Sequence, residues 1–98
     1  MLYDWDGLLF VWDDRKAPAN LDKHRVGFQE AATVFGDPGA GIVFDEDHSV
    51  DEQRYFILGY SDRQRLLAVS YTERGDRIRL ISAREATGPE RRSHGHAR

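Results

Sequence analysis

The sequence predicts an α+β fold: a small antiparallel sheet with two N-terminal helices packed on one face and a short C-terminal helix. Two stretches with helical spacing follow an initial β-type run, and four consecutive β-type runs come after them. Strands that are joined by short connections pair antiparallel, and a chain of 98 residues buries one modest core. The expected order is therefore β-α-α-β-β-β-β-α, within a single domain of residues 1–98.

The N-terminal third is expected to hold one strand and both of the helices that cover the sheet. Residues 1–7 are short and acidic and are expected to form a disordered tail. The apolar run 8–12 predicts a buried strand, and a helical pattern covers about 15–24, with Leu21 as its inward residue. A second, amphipathic helix is predicted over 28–35, because apolar residues recur there at helical spacing.

The rest of the chain is expected to form the sheet and to end in a short helix. A helix is predicted to begin near Arg84, and Gly88 and Pro89 are expected to interrupt it. The polar residues 92–98 are expected to form a second disordered tail. The four remaining β-type runs lie at 42–44, 53–61, 66–72 and 77–83.

The last two β-type runs form a hairpin that concentrates arginine. Gly75 stands where a tight turn needs a positive φ angle. Alternation in the second run predicts one face with Ile78, Leu80 and Ser82, and another with Arg77, Arg79 and Ile81. Arg74 precedes this strand and Arg84 follows it. Because arginine is a costly strand residue unless its face is wet or meets an anion, the hairpin predicts a phosphate-binding surface.

Composition excludes several classes of protein and reveals a charge asymmetry. The chain has no cysteine, which excludes disulfides, thiolate zinc sites and a cysteine nucleophile and fits a cytoplasmic location. No apolar run is long enough for a membrane span. Residues 1–62 hold thirteen acidic residues against five Arg or Lys, whereas residues 63–98 hold nine arginines against four acids. A net charge of −3 with a basic C-terminal third predicts a confined anion site, or a basic face that an acidic partner covers, rather than a general nucleic-acid binder.

Five fragments in register carry a resemblance to a known family. Together they span roughly residues 8 to 92. They are FVWD at 10–13 followed by Lys16 and Asn20; KHRVGFQEA at 23–31; VFGDP at 34–38; DHS at 47–49 with Glu52 and Arg54; and TERGDRIRLISAR at 72–84. In this order they resemble BrnT, the toxin of a type II toxin–antitoxin pair.

The resemblance implies a fold, an activity and partners. The implied fold is RelE-like, and the implied activity is that of a metal-independent ribonuclease, without cofactor, that arrests growth by cutting RNA in the cytoplasm. The implied partner is a BrnA-like antitoxin, in a heterotetramer of two toxins and two antitoxins. Operator DNA is contacted only through the antitoxin, and no membrane is involved.

Metal-independent RNA cleavage needs cations for the phosphorane charge and groups that transfer protons. Arg74, Arg79 and Arg84 are the candidate cations, because a turn, a strand and a strand end let them converge. His24 and His48 are the candidates for proton transfer, since imidazole alone titrates near neutrality unperturbed. Each candidate also has a structural explanation. Arginines on a strand pair with neighbouring acids. A histidine at a helix end, such as His24, caps the helix, and a histidine in an acidic loop, such as His48, is simply solvated.

Three further cations are expected to hold flanking phosphates of the substrate: Lys23, Arg54 and Arg77. The acidic connection around Asp45, Asp47, His48, Asp51 and Glu52 lacks the spacing of a calcium loop, and a charge-rich loop explains it better than a metal site. Two other functions stay open at this point: an inactive domain that serves only as antitoxin partner or corepressor in operon autoregulation, and an unrelated small α+β domain.

Overall fold

A computed structural model describes residues 1–48 and 52–96, which form a six-stranded mixed sheet and three α-helices. The α+β class is confirmed. In the sheet the strands follow the order β1-β2-β6-β5-β4-β3. The strands are β1 (Leu2–Trp5), β2 (Leu8–Val11), β3 (Gly41–Asp45), β4 (Arg54–Tyr60), β5 (Leu66–Arg74) and β6 (Arg77–Glu85); the helices are α1 (Lys16–His24), α2 (Phe28–Thr33), continued by a 3-10 turn (Val34–Gly36), and α3 (Gly88–His96).

The N-terminal segment is a strand, so the expectation of a disordered tail over 1–7 is wrong for most of it. β1 pairs antiparallel with β2, and Leu2 lies opposite Val11. Asp6 and Gly7 form the turn with positive φ angles of 52° and 82°. An Asp-Gly pair suits such a two-residue hairpin turn, because both positions need the left-handed region. The Asp6-Gly7 turn therefore indicates a hairpin, although the acidic composition of residues 1–7 does not suggest a strand.

The sheet is not purely antiparallel, because β2 and β6 run parallel. Phe10 lies opposite Ile78, and Val11 lies opposite Arg79. The antiparallel prediction is confirmed for β3, β4, β5 and β6, which follow one another by short connections. It is wrong for β2, because two helices and three strands separate β2 from β6, and a connection of that length places no constraint on direction.

Helices α1 and α2 cover one face of the sheet, as predicted, and the hydrophobic core lies between them and the strands. Asn20, rather than Leu21, is the inward residue of α1: Leu21 is 50% exposed and Asn20 is 7% exposed. The Asn20 amide donates to the carbonyls of Val26 and Ala83, and its oxygen accepts from the backbone N–H of Ala83. α1 is thereby joined to the edge of β6 beyond the stretch that β2 pairs. The core consists of Phe10, Trp12, Val26, Phe28, Ala31, Ala32, Val34, Ile57, Leu67, Val69, Tyr71, Leu80 and Ala83.

The C-terminal helix begins where the sequence was expected to interrupt it. β6 continues to Glu85, so the prediction of a helix from Arg84 is wrong. Thr87 and Glu90 form a reciprocal capping box: the Glu90 N–H donates to Thr87 Oγ1, and the Thr87 N–H donates to Glu90 Oε1. Pro89 lies in the first turn, where its missing N–H costs nothing. His94 is 5% exposed and packs edge-on against Tyr60, so the expected tail is helical as far as residue 96.

None of the described helices has the length and apolar character that a membrane span requires.

Candidate functional site

The face of the sheet opposite α1 and α2 carries five arginines, and we call it the arginine face: Arg54, Arg74, Arg77, Arg79 and Arg84. Residues directly opposite in neighbouring strands share a face. Arg79 lies opposite Thr72, which in turn lies opposite Arg54, and Arg74 lies opposite Arg77. The expectation that the hairpin arginines lie on one side of the sheet is therefore confirmed.

A β-bulge brings Arg84 to this face. Arg79 and Arg84 are five residues apart, and a regular strand would point them in opposite directions. Leu80 lies opposite Tyr71 and Ser82 lies opposite Ser70, so Ile81 is the extra residue. The bulge reverses the alternation, and Ala83 becomes the buried residue in place of Ser82. Ser82 therefore lies on the arginine face and not, as predicted, beside Leu80.

One row of residues crosses the arginine face near the β5–β6 hairpin. Asp45, Arg54, Thr72 and Arg79 are consecutive partners on β3, β4, β5 and β6. Neighbouring strands lie about 4.8 Å apart, so the row spans roughly 14 Å between the first and last Cα atoms. Thr72 is small and 2% exposed, and it lies between the longer side chains of the neighbouring strands. Thr72 is therefore flanked by Arg54 on one neighbouring strand and Arg79 on the other.

Two of the three predicted catalytic arginines meet on one carboxylate. Glu52 Oε2 lies 3.1 Å from Arg74 Nη2, and its other oxygen, Oε1, lies 3.4 Å from Arg79 Nη1. The Glu52 side chain is 31% exposed, that of Arg79 is 27% exposed and that of Arg74 is 56% exposed. Two guanidinium groups that bind two oxygens of one anion have the arrangement that a phosphodiester requires. Sequence reasoning considered Glu52 only as a metal ligand and missed its position between these arginines.

His48 lies at the other end of the row and is oriented by a buried carboxylate. Its Nδ1 lies 2.9 Å from Oδ2 of Asp45. The Asp45 side chain is only 8% exposed, whereas that of His48 is 65% exposed. A carboxylate that binds Nδ1 leaves Nε2 free to exchange a proton with a ligand. His48 therefore lies in the turn after β3, next to Asp45, which lies opposite Arg54.

Arg84 is separate from the other two predicted catalytic arginines. It makes a bidentate ion pair with Glu90 of α3, with N–O distances of 2.7 and 3.1 Å. The Arg84 guanidinium, followed by the backbone N–H of Thr87, lowers the pKa of Glu90 to about 2. Five residues of strand separate Arg84 from Arg79, roughly 16 Å. The expected convergence of all three arginines thus holds for Arg74 and Arg79, while Arg84 anchors the C-terminal helix.

The predicted substrate-binding residues occupy three places. Arg54 is half-buried within the row, and Arg77 is exposed at the hairpin, 4.0 Å from Asp76. Lys23 and His24 lie in the last turn of α1, beside Ser82. They line a groove of about 230 Å³ together with Lys16, Ala19, Asn20, Ile81 and Ser82.

The turn after Lys23 and His24 has an unusual backbone. Arg25 adopts the left-handed conformation with φ of 60°, and its N–H donates to the Leu21 carbonyl, which ends α1. The Arg25 carbonyl accepts a hydrogen bond from Arg65 Nη2 at 2.9 Å. Arg65 also holds Glu30, which accepts from Ser61 Oγ at 2.7 Å as well. This network attaches the end of α1 to the β4–β5 turn. It thereby also positions the groove lined by Lys16, Lys23 and His24, which we call the basic groove.

A larger cavity, of about 610 Å³, does not suit a phosphodiester. Its lining includes the carboxylates Asp37 and Asp62 and contains no Lys or Arg. We therefore place the candidate site on the arginine face on grounds of charge rather than of volume. Among residues 1–48 and 52–96 there is no group of three or more His, Asp or Glu that could hold a metal ion, and Asp51 lies outside the described residues.

Comparisons with known proteins agree with this architecture. The crystal structure of the Brucella abortus ribonuclease toxin BrnT, at 1.1 Å resolution, is similar with a TM-score of 0.63. The match has 22% sequence identity and covers 80% of this chain and 95% of that one. No curated protein sequence matches the chain. The model of the family described as "Ribonuclease toxin, BrnT, of type II toxin-antitoxin system" matches residues 12–90. The chain therefore belongs to the BrnT family of ribonuclease toxins of type II toxin–antitoxin systems.

Proposed function

We propose that this chain is a metal-independent endoribonuclease with a RelE-like fold that binds the scissile phosphodiester between Arg74 and Arg79. The observation that carries the proposal is the pair of guanidinium groups that share the Glu52 carboxylate, in a chain of a ribonuclease toxin family. A phosphodiester presents the same type of anionic oxygens with the same single charge, and the negative charge on these oxygens increases in the phosphorane. Preorganised cations at the phosphorane are the largest source of rate enhancement in such a site.

The remaining predicted residues take supporting roles in this proposal. His48, oriented by Asp45, protonates the 5′-oxygen that leaves. Arg54 and Arg77 bind flanking phosphates on the same face. Lys23, His24 and Arg84 contact the RNA farther along β6, where the basic groove adjoins Ser82. No step requires a metal or a cofactor.

The charge distribution also supports the partners that we propose. The acidic N-terminal two-thirds of the chain repel RNA, which confines its approach to the arginine face. An antitoxin that covers this face would block cleavage. We propose a BrnA-like antitoxin in a two-to-two complex in the cytoplasm, with operator DNA contacted only by the antitoxin.

Incubation of the purified chain with end-labelled RNA in EDTA tests the proposal. We expect cleavage that stops on addition of the antitoxin and slows steeply as salt rises from about 50 to 200 mM, because phosphate contacts release counterions. The matched control is the Arg74→Ala, Arg79→Ala double variant, which should leave the RNA intact. Intact RNA with the wild-type chain, together with tight antitoxin binding, would contradict an enzyme and support an inactive binding domain. Salt-insensitive cleavage would contradict the arginine face as the substrate site.

A further inference from the structure

We propose that Glu52 is the general base of the cleavage reaction, an inference that rests on the proposed function. Cleavage without a metal begins when a base takes the proton of the ribose 2′-hydroxyl. The predictions from sequence supplied cations and an acid but no carboxylate for this step. Glu52 is the acidic side chain that the structure places against both Arg74 and Arg79.

The position of the carboxylate fits the attack geometry. A phosphodiester held by Arg74 and Arg79 has its phosphorus within a few ångströms of the Glu52 oxygens, which now lie 3.1 and 3.4 Å from the same guanidinium groups. The attacking 2′-oxygen is bonded to the ribose next to that phosphate, so it enters the same volume. With 31% of its side chain exposed, Glu52 can be reached by a substrate without unfolding of the strand ends.

Neighbouring hydrogen bonds attach the residue next to Glu52 to the sheet. Thr72 Oγ1 donates to the carbonyl of Gln53 at 2.7 Å, and Thr72 is 2% exposed. Tyr55 Oη donates to the Gln53 side chain at 3.1 Å. The residue after Glu52 is thus attached to both β4 and β5, and the Glu52 side chain faces a cavity of about 330 Å³ that Thr72 also lines.

Base and acid come from different ends of the row of residues that crosses the arginine face. Glu52 contacts Arg79 at the β6 end of the row, and Asp45 holds His48 at the β3 end. In-line transfer requires the attacking and leaving oxygens to lie on opposite sides of phosphorus. Glu52 takes the 2′-proton, the 2′-oxygen bonds to phosphorus, the P–O5′ bond breaks and His48 gives a proton to the 5′-oxygen. The products are a 2′,3′-cyclic phosphate and a 5′-hydroxyl end, and no co-reactant is consumed.

Other carboxylates near the hairpin do not fit this role. Glu90 accepts from Arg84 through both oxygens and from the N–H of Thr87. Asp45 is 9% exposed and is occupied by His48. Glu73 lines the same cavity as Glu52 but lies opposite Ile78, whereas the ion pairs of Arg74 and Arg79 are made with Glu52. Glu85 serves as the control carboxylate, because it is exposed and lies opposite Leu67, at the other end of β6.

The test measures kcat, KM and end groups for Glu52→Gln and Glu85→Gln on a short RNA. We expect Glu52→Gln to lower kcat by about 10²–10⁴-fold, with KM changed less than about threefold. Glu52→Asp, which keeps the charge one methylene farther away, should retain intermediate activity. Glu85→Gln should match the wild type, and circular dichroism should show all variants folded.

The outcomes separate this inference from the function on which it rests. Wild-type activity with an equally active or a more active Glu52→Gln variant would show that Glu52 only competes with phosphate for the arginines, and would overturn the inference alone. A 3′-phosphate formed without a cyclic intermediate would also overturn it. A wild-type chain that leaves RNA intact would contradict both proposals.

Discussion

Replacement of Arg79 by alanine is expected to lower RNA cleavage by about 10²–10³-fold, the range found when one preorganised donor to a developing oxyanion is removed. Arg79 is the less exposed of the two arginines on Glu52, so its charge is the less screened by water. Arg74→Ala should have a smaller effect, because 56% of the Arg74 side chain is exposed. Single-turnover cleavage of a labelled RNA gives both values.

The matched control for this change is Arg63→Ala. Arg63 is an exposed arginine in the β4–β5 turn, at the end of the sheet opposite the β5–β6 hairpin. The Arg63→Ala variant should cleave RNA within about twofold of the wild-type rate. Both variants should stay folded, since exposed ion pairs contribute at most about 1 kcal/mol. Growth arrest on expression should follow the same order, and an Arg79→Ala chain as toxic as the wild type would contradict the site.

The largest effect on stability is expected for Glu30→Ala. Glu30 lies in α2 with its side chain 8% exposed, and it accepts hydrogen bonds from Arg65 and Ser61. Its removal leaves both donors without their acceptor. We expect a loss of about 2–3 kcal/mol in the free energy of unfolding, less than for a fully buried pair because 27% of the Arg65 side chain meets water. Urea unfolding measures the difference.

Glu30 also makes the free energy of unfolding depend on pH, and the direction follows from its lowered pKa. The hydrogen bond and charge of Arg65 lower the pKa of Glu30 below its ordinary value of 4.5. The folded state therefore binds the proton more weakly than the unfolded state. The stabilisation is complete above about pH 4.5 and is lost as pH falls through the lowered pKa of the folded state. The stability difference between wild type and Glu30→Ala should shrink on acidification, whereas Glu46→Ala, at an exposed position, should match the wild type at each pH.

Local patterns predicted β2 to β6, the two N-terminal helices and the shared face of Arg77 and Arg79. They did not predict Arg84 on that face, because an alternation of two assigns Arg79 and Arg84 to opposite sides. The bulge at Ile81 that reverses this is a feature of the pairing between β5 and β6, and neither strand alone shows it.

Two of the errors had signals in the sequence. Asp6 and Gly7 are a recognised turn pair, and Thr87 with Glu90 has the spacing of a capping box. In both places the polar composition of the segment obscures the turn or cap signal. The burial of Asn20 has no such signal, because its amide binds the carbonyl of Ala83, which lies 63 residues farther along the chain. Glu52 likewise acquires its place only when β4, β5 and β6 are side by side.

The central claim is that a phosphodiester occupies the place between Arg74 and Arg79, and side-chain NMR of the arginine Nε–H groups tests it most directly. The titrant is an RNA with a single 2′-deoxy nucleotide at the cleavage site, which binds but cannot react. We predict that the Arg74 and Arg79 resonances shift together and saturate at the concentration that inhibits cleavage, while Arg63 stays unchanged. Saturable binding that leaves Arg74 and Arg79 unmoved and shifts other arginines would contradict the account.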